Sequence, residues 1–481
     1  MALGSAGIMA GNRVIATSAE QNLEIKGVDA KKRICRLWGR NRGWAGMLAR
    51  SERRLLTRWS WSAIGSRSFA TERARMPTEQ KISGERLFIF AGGGTGGHLY
   101  PGLAIAEQLW AQMGERCSCL FLCSTRAIDR RVLEAARHGG ADEAGGAGGQ
   151  PIKFEPIAAQ PLSVRPLALL RFLRAWGPSI RSTRVAIATA RARGASVHVV
   201  AMGGFVAAPA VQAAIAERVP VTLVNLDAVP GKANRWIAGR IRGGKVFTAA
   251  MVDDPIAREW VTVPPIVRAG ARAKCSAAEA RAALGLAEQG PTLMVTGGSQ
   301  GAGSVNRFLA GFAKSEHAHS KPAHSKPEAP LRGWQVLHQS GDEDNRELAA
   351  AYEQAGATKV VVTKFVDQMG LWWRAADLAV SRCGAGSVAE AWASGCPSLF
   401  LPYPFHKDEH QRKNAVVLER AGGAVVVTDL VDPARNLAAN ASVLMGLLGD
   451  EARRTAMRRA IEGLGPVDGA ARVARALART S

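Results

Sequence analysis

Four stretches of this 481-residue chain carry residue types suited to a phosphorylated substrate. The first, RLFIFAGGGTGGHLYPGLAIAEQL from Arg86 to Leu109, sets five glycines and one histidine between an apolar run and a helix-like segment. Glycine lets backbone amides approach an anion closely, and a helix starting there adds the partial positive charge of its dipole. Two readings stay open at this point, a phosphate or nucleotide site and the tight packing of a turn. Gly92, Gly94 and Gly97 match the GxGxxG fingerprint between a strand and a helix. A dinucleotide enzyme also wants an acid at the end of the second strand to hold the ribose, and this chain reads Ser124, Thr125, Arg126 there. The second stretch, TGGSQGAGSVN from Thr296 to Asn306, lacks the lysine of a P-loop, which excludes an ATPase of that kind. The remaining two are CGAGSVAEAWASGCP and FHKDEHQRKNA. Glu390 in the former is acceptor-only when ionised and suits a pair of ribose hydroxyls, or is a solvated helix residue. The latter crowds His406, Lys407, Asp408, His410 and Gln411 just after an apolar run.

Such groups need a scaffold, and the chain has a regular one from Arg86 onward. The apolar runs RLFIF, CSCLFLCS, VHVVAM, VTLVNL and KVFTAA alternate with helix-like stretches. After Pro264 and Pro265 the pattern restarts with TLMVTG, QVLHQSG, KVVVTKF, DLAVSRCG, SLFLPYP and AVVVTD. Strands alternating with helices predict parallel sheets covered on both faces, hence two doubly wound α/β domains in tandem with ligands beyond the carboxyl ends of the strands. One glycine loop per domain, both opening on the same cleft, suits two diphosphates brought face to face for a transfer. The expected divisions are a basic leader over 1–84, a first domain over 85–264, a second over 265–464 and a last segment over 465–481.

Composition narrows the classes further. A chain of this length needs more than one core, and 47% hydrophobic with 21% charged residues fits a globular protein. The longest apolar stretch, around Val197 to Ala216, is broken by Gly203, Gly204, Pro209 and Gln212 and is no membrane span. Net charge is +23, which points to an anionic partner. Met1 to Arg75 alone holds 15 Lys and Arg against 5 Asp and Glu. This leader is open to two readings, a basic targeting-type extension or a start that belongs at Met76. The seven cysteines include no CxxC pair and read as reduced thiols, with Cys117 and Cys119 buried on one strand face. The repeat AHSKP with His317, His319 and His324 reads as a solvated loop. In QPLSVRPLALLRFLRAWGPSIRSTR, Leu169, Phe172 and Trp176 sit beside Arg171 and Arg174. That composition suits contact with an anionic membrane surface, or a sheet-covering helix with solvated arginines.

Taken together, GGTGGHLYPGLAIAEQL, AMGGFVAAPA, GKANRW, TGGSQGAGSVN, LHQSG, GAGSVAEAWASGCPSLFLPYPFHKDEHQRKNA and AGGA resemble the MurG family of bacterial glycosyltransferases. The resemblance runs from about Arg86 to the C-terminus. It implies a GT-B architecture of two Rossmann-like domains facing a cleft, with the last segment crossing back to the first domain. It implies inverting transfer of N-acetylglucosamine from UDP-N-acetylglucosamine to lipid I, the undecaprenyl-diphosphate-linked muramyl pentapeptide, giving lipid II for peptidoglycan. On the acceptor side Gly93, Gly94, Thr95, Gly96, Gly97 and His98 would receive the lipid diphosphate. For the donor, the resemblance assigns Thr95, Gly96, Gly97, Asp227, Arg268, Ser299, Gln300, Phe365, Val366, Glu390, His410 and Gln411. Of these, Ser299 and Gln300 cradle the diphosphate, Phe365 and Val366 flank the uracil, Glu390 holds the ribose, and His410 with Gln411 reaches the sugar. His98 is expected as the base or an acceptor-orienting group, the alternative being a helix cap.

Where the family usually reads HEQN, this chain aligns as Val224, Asn225, Leu226, Asp227. Asp227 therefore joins His98 as a candidate catalytic residue, or marks altered acceptor chemistry or lost activity. Asp342, Glu343 and Asp344 mimic a DxD metal signature, but fall in a loop and read as solvated. The implied enzyme uses no cofactor and no metal, and has no nucleic-acid partner. It sits peripherally on the cytoplasmic face of the inner membrane. Rival readings are a GT-B transferase acting on a diacylglycerol, a nicotinamide dehydrogenase, and a non-catalytic UDP-sugar-binding protein.

Overall fold

The computed structural model describes residues 84–94, 96–138, 152–241, 243–298, 301–315, 329–341, 344–406 and 408–480. The basic leader, Thr95, Ser299, Gln300, Asp342, Glu343, Lys407 and the AHSKP repeat lie outside them. Lys81–Ser481 form one compact unit built on two sheets.

The first sheet contains β1 (Arg86–Ala91), β2 (Cys117–Cys123), β3 (Lys153–Pro156), β4 (Ser196–Ala201), β5 (Val221–Asn225), β6 (Val246–Thr248) and β7 (Val261–Thr262). Their order is 3-2-1-4-5-6-7, and every recorded pairing is parallel. The second contains β8 (Thr292–Thr296), β9 (Gln335–Gln339), β10 (Lys359–Thr363), β11 (Leu378–Ser381), β12 (Ser398–Phe400) and β13 (Ala424–Val426), in the order 10-9-8-11-12-13. Both repeat the doubly wound order, in which the chain reverses direction between the first and fourth strands and leaves a crevice at their carboxyl ends. Alternation along β1 shows why these strands are buried on both faces. Phe88 and Phe90 enter one core with Leu103 and Phe121, whereas Ile89 and Ala91 enter another with Val199 and Ala210. The second sheet repeats this, with Leu293 and Val295 on one side and Met294 on the other.

Three helices matter most for the site. Helix α1 (Gly96–Met113) follows the first glycine loop, α2 (Ala127–His138) follows β2, and α3 (Pro166–Ala192) lies between β3 and β4. In chain order the others in the first half are α4 (Gly204–Ala216) and α5 (Lys232–Ala238). The second half contains α6 (Ala277–Ala283), α7 (Gly303–Lys314), α8 (Asn345–Gln354), α9 (Met369–Ala375), α10 (Ala385–Ser394), α11 (His410–Ala421), α12 (Pro433–Gly449), α13 (Glu451–Glu462) and α14 (Gly469–Arg479). Helix α14 places Val473, Ala474 and Leu477 in the same core as Leu99 and Leu103 of α1. Arg86 at the start of β1 donates to the Ala478 carbonyl at 2.8 Å, fastening the chain's last helix to its first strand. Gly469 permits the approach, since a Cβ there would lie 1.9 Å from the Pro264 carbonyl oxygen. Cys117 and Cys119 both face the core, their sulfurs 3.9 Å apart.

Candidate active site in the cleft

Four glycine-containing stretches leave the carboxyl ends of strands near the points of sheet reversal. Gly92–Gly94 follow β1 and Gly203 and Gly204 follow β4, while Gly297 and Gly298 follow β8 and Gly384 precedes α10 after β11. The backbone there is shaped as only glycine readily allows, with φ of +94° at Gly94, +103° at Gly203 and +77° at Gly298.

The first loop is gripped from behind. Asp129 of α2, fully buried, accepts from the Gly94 amide at 2.8 Å, the Ser124 amide at 3.0 Å and the Ser124 hydroxyl at 2.6 Å. Its other oxygen is buried with no hydrogen-bond partner among the described residues. His98 projects from the first turn of α1 onto the backbone of Gly203 and Gly204. A Cβ at Gly203 would lie 3.2 Å from His98 Nε2, and one at Gly204 3.4 Å from Nδ1. His98 Nδ1 is buried without a partner among the described residues, so that atom does not cap the helix. Burial holds the imidazole below the ordinary histidine range, opposed by the charges of Asp227 and Asp129. The ring is therefore neutral near pH 7, with Nδ1 unpaired among the described residues.

Asn225 and Asp227 divide the work of the altered tetrad. Asn225 is buried in a structural network. Its amide donates to the Asp227 carbonyl at 2.7 Å and to the Thr248 hydroxyl at 3.1 Å, and its oxygen accepts from Asn234 at 3.0 Å. The Asp227 side chain faces the other domain instead, accepting from Asn414 Nδ2 of α11 at 3.0 Å. The Asn414 oxygen takes the Ala228 amide at 2.7 Å, so a single side chain bridges the cleft with two bonds. Two further contacts cross it. Arg131 of α2 lies over the Phe365 ring at 3.8 Å, and Arg268 pairs with Glu107 of α1 at 2.7 Å.

On the second domain, Glu390 of α10 accepts from the Trp373 indole at 2.9 Å. Burial pushes its carboxyl up to about 7, and the indole bond partly opposes that. Tyr100 of α1 is close enough to feel the charges of Glu390, Arg268, Asp367 and Arg131, which places residues of both domains around one space; burial is the main cause of its raised pKa. The His406 and His410 rings lie 4.1 Å apart and tilted by 35°, His410 Nδ1 meets Asp408 at 2.9 Å, and Gln411 accepts from the Tyr403 amide at 2.9 Å. Burial and the neighbouring His410 lower the His406 pKa, with Asp408 and Asp227 opposing. Val366 is buried in the second-domain core. Gly96 and Gly97 form the first residues of α1, while Gly93 lies against Asp129 and Ser124. Asp344 caps α8 through the Arg346 amide at 2.8 Å.

Two supporting residues lie outside the expected site set, although Asn306 belongs to the second glycine stretch. Arg382, at the end of β11, binds Asp429 at 2.7 Å and the Ser304 hydroxyl at 2.7 Å, fixing the first turn of α7 behind the second loop. Asn306 of the same motif is fully buried, donating to the Ser340 carbonyl at 2.7 Å and meeting His338 at 3.0 Å. The residues expected at a membrane surface are differently exposed along α3. Leu167, Leu170 and Leu173 are exposed beside exposed Arg171 and Arg174, while Leu169, Phe172 and Trp176 are half-buried. Phe172 and Trp176 instead pack against each other at 5.3 Å, and Trp176 against Trp236 at 6.2 Å.

Two doubly wound domains, each with a glycine loop at its reversal point and joined across a cleft, define a GT-B glycosyltransferase. Models of the glycosyltransferase family 28 N-terminal and C-terminal domains match residues 88–243 and 292–460. The chain belongs to the family of UDP-N-acetylglucosamine–N-acetylmuramyl-(pentapeptide) pyrophosphoryl-undecaprenol N-acetylglucosamine transferases. A relative of that name from Clavibacter michiganensis subsp. michiganensis is 34% identical over 398 residues, covering 81% of this chain and 95% of the relative. Another from Geobacter sulfurreducens is 30% identical over 388 residues, covering 79% and 95%. Among solved structures, Acinetobacter baumannii MurG aligns with a TM-score of 0.56 at 22% identity, covering 82% of this chain and all of that one, a likeness of fold.

Proposed function

We propose that this chain transfers N-acetylglucosamine from UDP-N-acetylglucosamine to the muramyl hydroxyl of lipid I, inverting the anomeric carbon and forming lipid II. The observation that carries the reading is the placement of two glycine loops at two sheet reversals, with Asn414 fastening Asp227 and Ala228 across the space between them. One loop serves each diphosphate, and the sugar passes between the domains.

The donor lies on the second domain. Glu390 takes the ribose hydroxyls with the oxygen that Trp373 leaves free, and Phe365 and Val366 flank the uracil. The second loop, including Ser299 and Gln300, meets the diphosphate, with His410 and Gln411 at the sugar and Arg268 at its edge. On the acceptor side, Gly93 to Gly97 and the first turn of α1 face the lipid diphosphate. His98 accepts the proton of the muramyl hydroxyl as its oxygen bonds to the anomeric carbon and the bond from that carbon to UDP breaks. Asp227 stabilises the imidazolium that results. Backbone amides and the start of α10 receive the charge that grows on departing UDP. The neutral, unpartnered His98 Nδ1 supports its part.

The acceptor is a lipid, and α3 supplies the contact with its membrane. Exposed leucines at positions 167, 170 and 173 flanked by Arg171 and Arg174 suit the cytoplasmic, anionic leaflet of the inner membrane, with the side of the helix bearing Leu169, Phe172 and Trp176 anchoring it to the domain. No helix among the described residues is long and apolar enough to cross a membrane. The linkage in the isolated product tests the reaction. From the α-linked donor a β-linked disaccharide is expected by NMR, and an α-linkage would remove the single displacement assigned to His98.

A further inference from the structure

Arg126 follows β2 at the place where a dinucleotide enzyme would carry an acid, and it has no role in the transfer proposed for the cleft. Its Nη1 donates to the Gly94 carbonyl at 2.8 Å, and its guanidinium lies over the Phe205 ring, 5.3 Å from the centroid. Phe205 itself closes on the loop, since a Cβ at Gly94 would fall 2.5 Å from Phe205 Cε1. An exposed arginine is therefore pinned at the rim of the first glycine loop by two contacts. Its Nε and Nη2 have no hydrogen-bond partner among the described residues and are free to bind two oxygens of one anion.

The loop needs such a cation. Asp129 has already taken the Gly94 amide and places a buried negative charge directly behind the turn. A diphosphate arriving in front meets one amide fewer and a like charge, and the partial charge at the start of α1 is small by comparison. Arg126 sets a positive charge at the rim that offsets Asp129, and its bond to the Gly94 carbonyl fixes it beside the anion's path.

We infer that Arg126 is the side chain that receives the acceptor's diphosphate, with Asp129 as the positioning residue that fixes the loop holding it. The inference rests on the first loop being the acceptor side. Arg126→Gln keeps a donor for Gly94 and removes the charge, whereas Arg126→Lys keeps the charge and loses the fork. In transfer assays with lipid I varied, Arg126→Gln is expected to raise the acceptor KM about tenfold or more, the scale of one charge-assisted hydrogen bond. The donor KM should stay within twofold, and Arg126→Lys should recover part of the loss. Direct binding of a short-chain polyprenyl diphosphate should weaken in parallel, and binding of the monophosphate should weaken less. An unchanged acceptor KM and diphosphate affinity in Arg126→Gln would overturn the inference, as would an equal rise in both KM values. A wild-type enzyme that fails to glycosylate lipid I but binds the diphosphate through Arg126 would remove the proposed reaction and leave this site standing.

Discussion

Replacing Asn414 with alanine removes both bonds that one side chain makes across the cleft. The Ala228 amide, buried and held at 2.7 Å, loses its acceptor, at a cost of about 1–3 kcal/mol for an orphaned donor. The second bond, to half-exposed Asp227 at 3.0 Å, is discounted for solvent and adds about 0.5–1 kcal/mol. The sum, about 1.5–4 kcal/mol, falls on the closed arrangement alone if the domains separate when the bonds break. At 1.4 kcal/mol per factor of ten, the closed fraction should fall roughly tenfold or more relative to the open one. The assay pairs kcat/KM for both substrates with small-angle scattering, with and without UDP. Asn414→Ala should lower kcat/KM for both substrates and enlarge the free enzyme. Asn414→Asp should do worse than alanine at neutral pH, because it sets a second carboxylate where Asp227 now accepts a bond. Activity within threefold of wild type and an unchanged scattering profile in Asn414→Ala would refute the role given to this contact.

Further expectations follow from single contacts. Glu390, with its carboxyl raised to about 7 by burial, accepts two hydroxyls only when ionised, so donor KM should improve as pH rises from about 6 to 8. That limb should vanish in Glu390→Gln, and identical pH profiles in the two proteins would remove Glu390 from the ribose. Gly93→Ala would set a methyl group 2.5 Å from Asp129 Oδ2 and 2.9 Å from the Ser124 amide nitrogen, so urea unfolding should show a loss of about 1–3 kcal/mol; a neutral result would mean that the loop relaxes freely. Leu477→Ala hollows the seat of α14 on α1 and should cost about 2–5 kcal/mol in the same measurement. A loss below about 1 kcal/mol would show that the last helix adds little to that core.

The strands buried on both faces were legible because continuous apolar runs such as RLFIF and TLMVTG admit no other placement between turn-forming residues. Two strands were not. Lys153–Pro156 is exposed or half-buried along its whole length, and Val261–Thr262 is a two-residue edge, so neither carries an apolar pattern. In the site, glycine marks loops whose backbone only it readily adopts, which is why positions 92–97 and 296–304 stood out. What remained hidden depends on partners distant in sequence. Asn414 reaches Asp227 across 187 positions, Asp129 reaches Gly94 across 35, and Trp373 reaches Glu390 across 17. Asparagine and tryptophan at such spacings carry no local periodicity, and only the folded chain shows which group each one serves. Along α3 the arginines are exposed, while helical geometry turns Leu167, Leu170 and Leu173 outward and draws Phe172 and Trp176 toward Trp236.

The most direct measurement follows radiolabel from UDP-N-acetylglucosamine into lipid-extractable product, using the purified full chain with lipid I and, separately, with diacylglycerol. Label in lipid I alone is the expected result, and it would establish that Asp227 in the altered tetrad supports turnover. Label in diacylglycerol, or no label in either lipid while UDP-N-acetylglucosamine still binds, would contradict the proposed reaction.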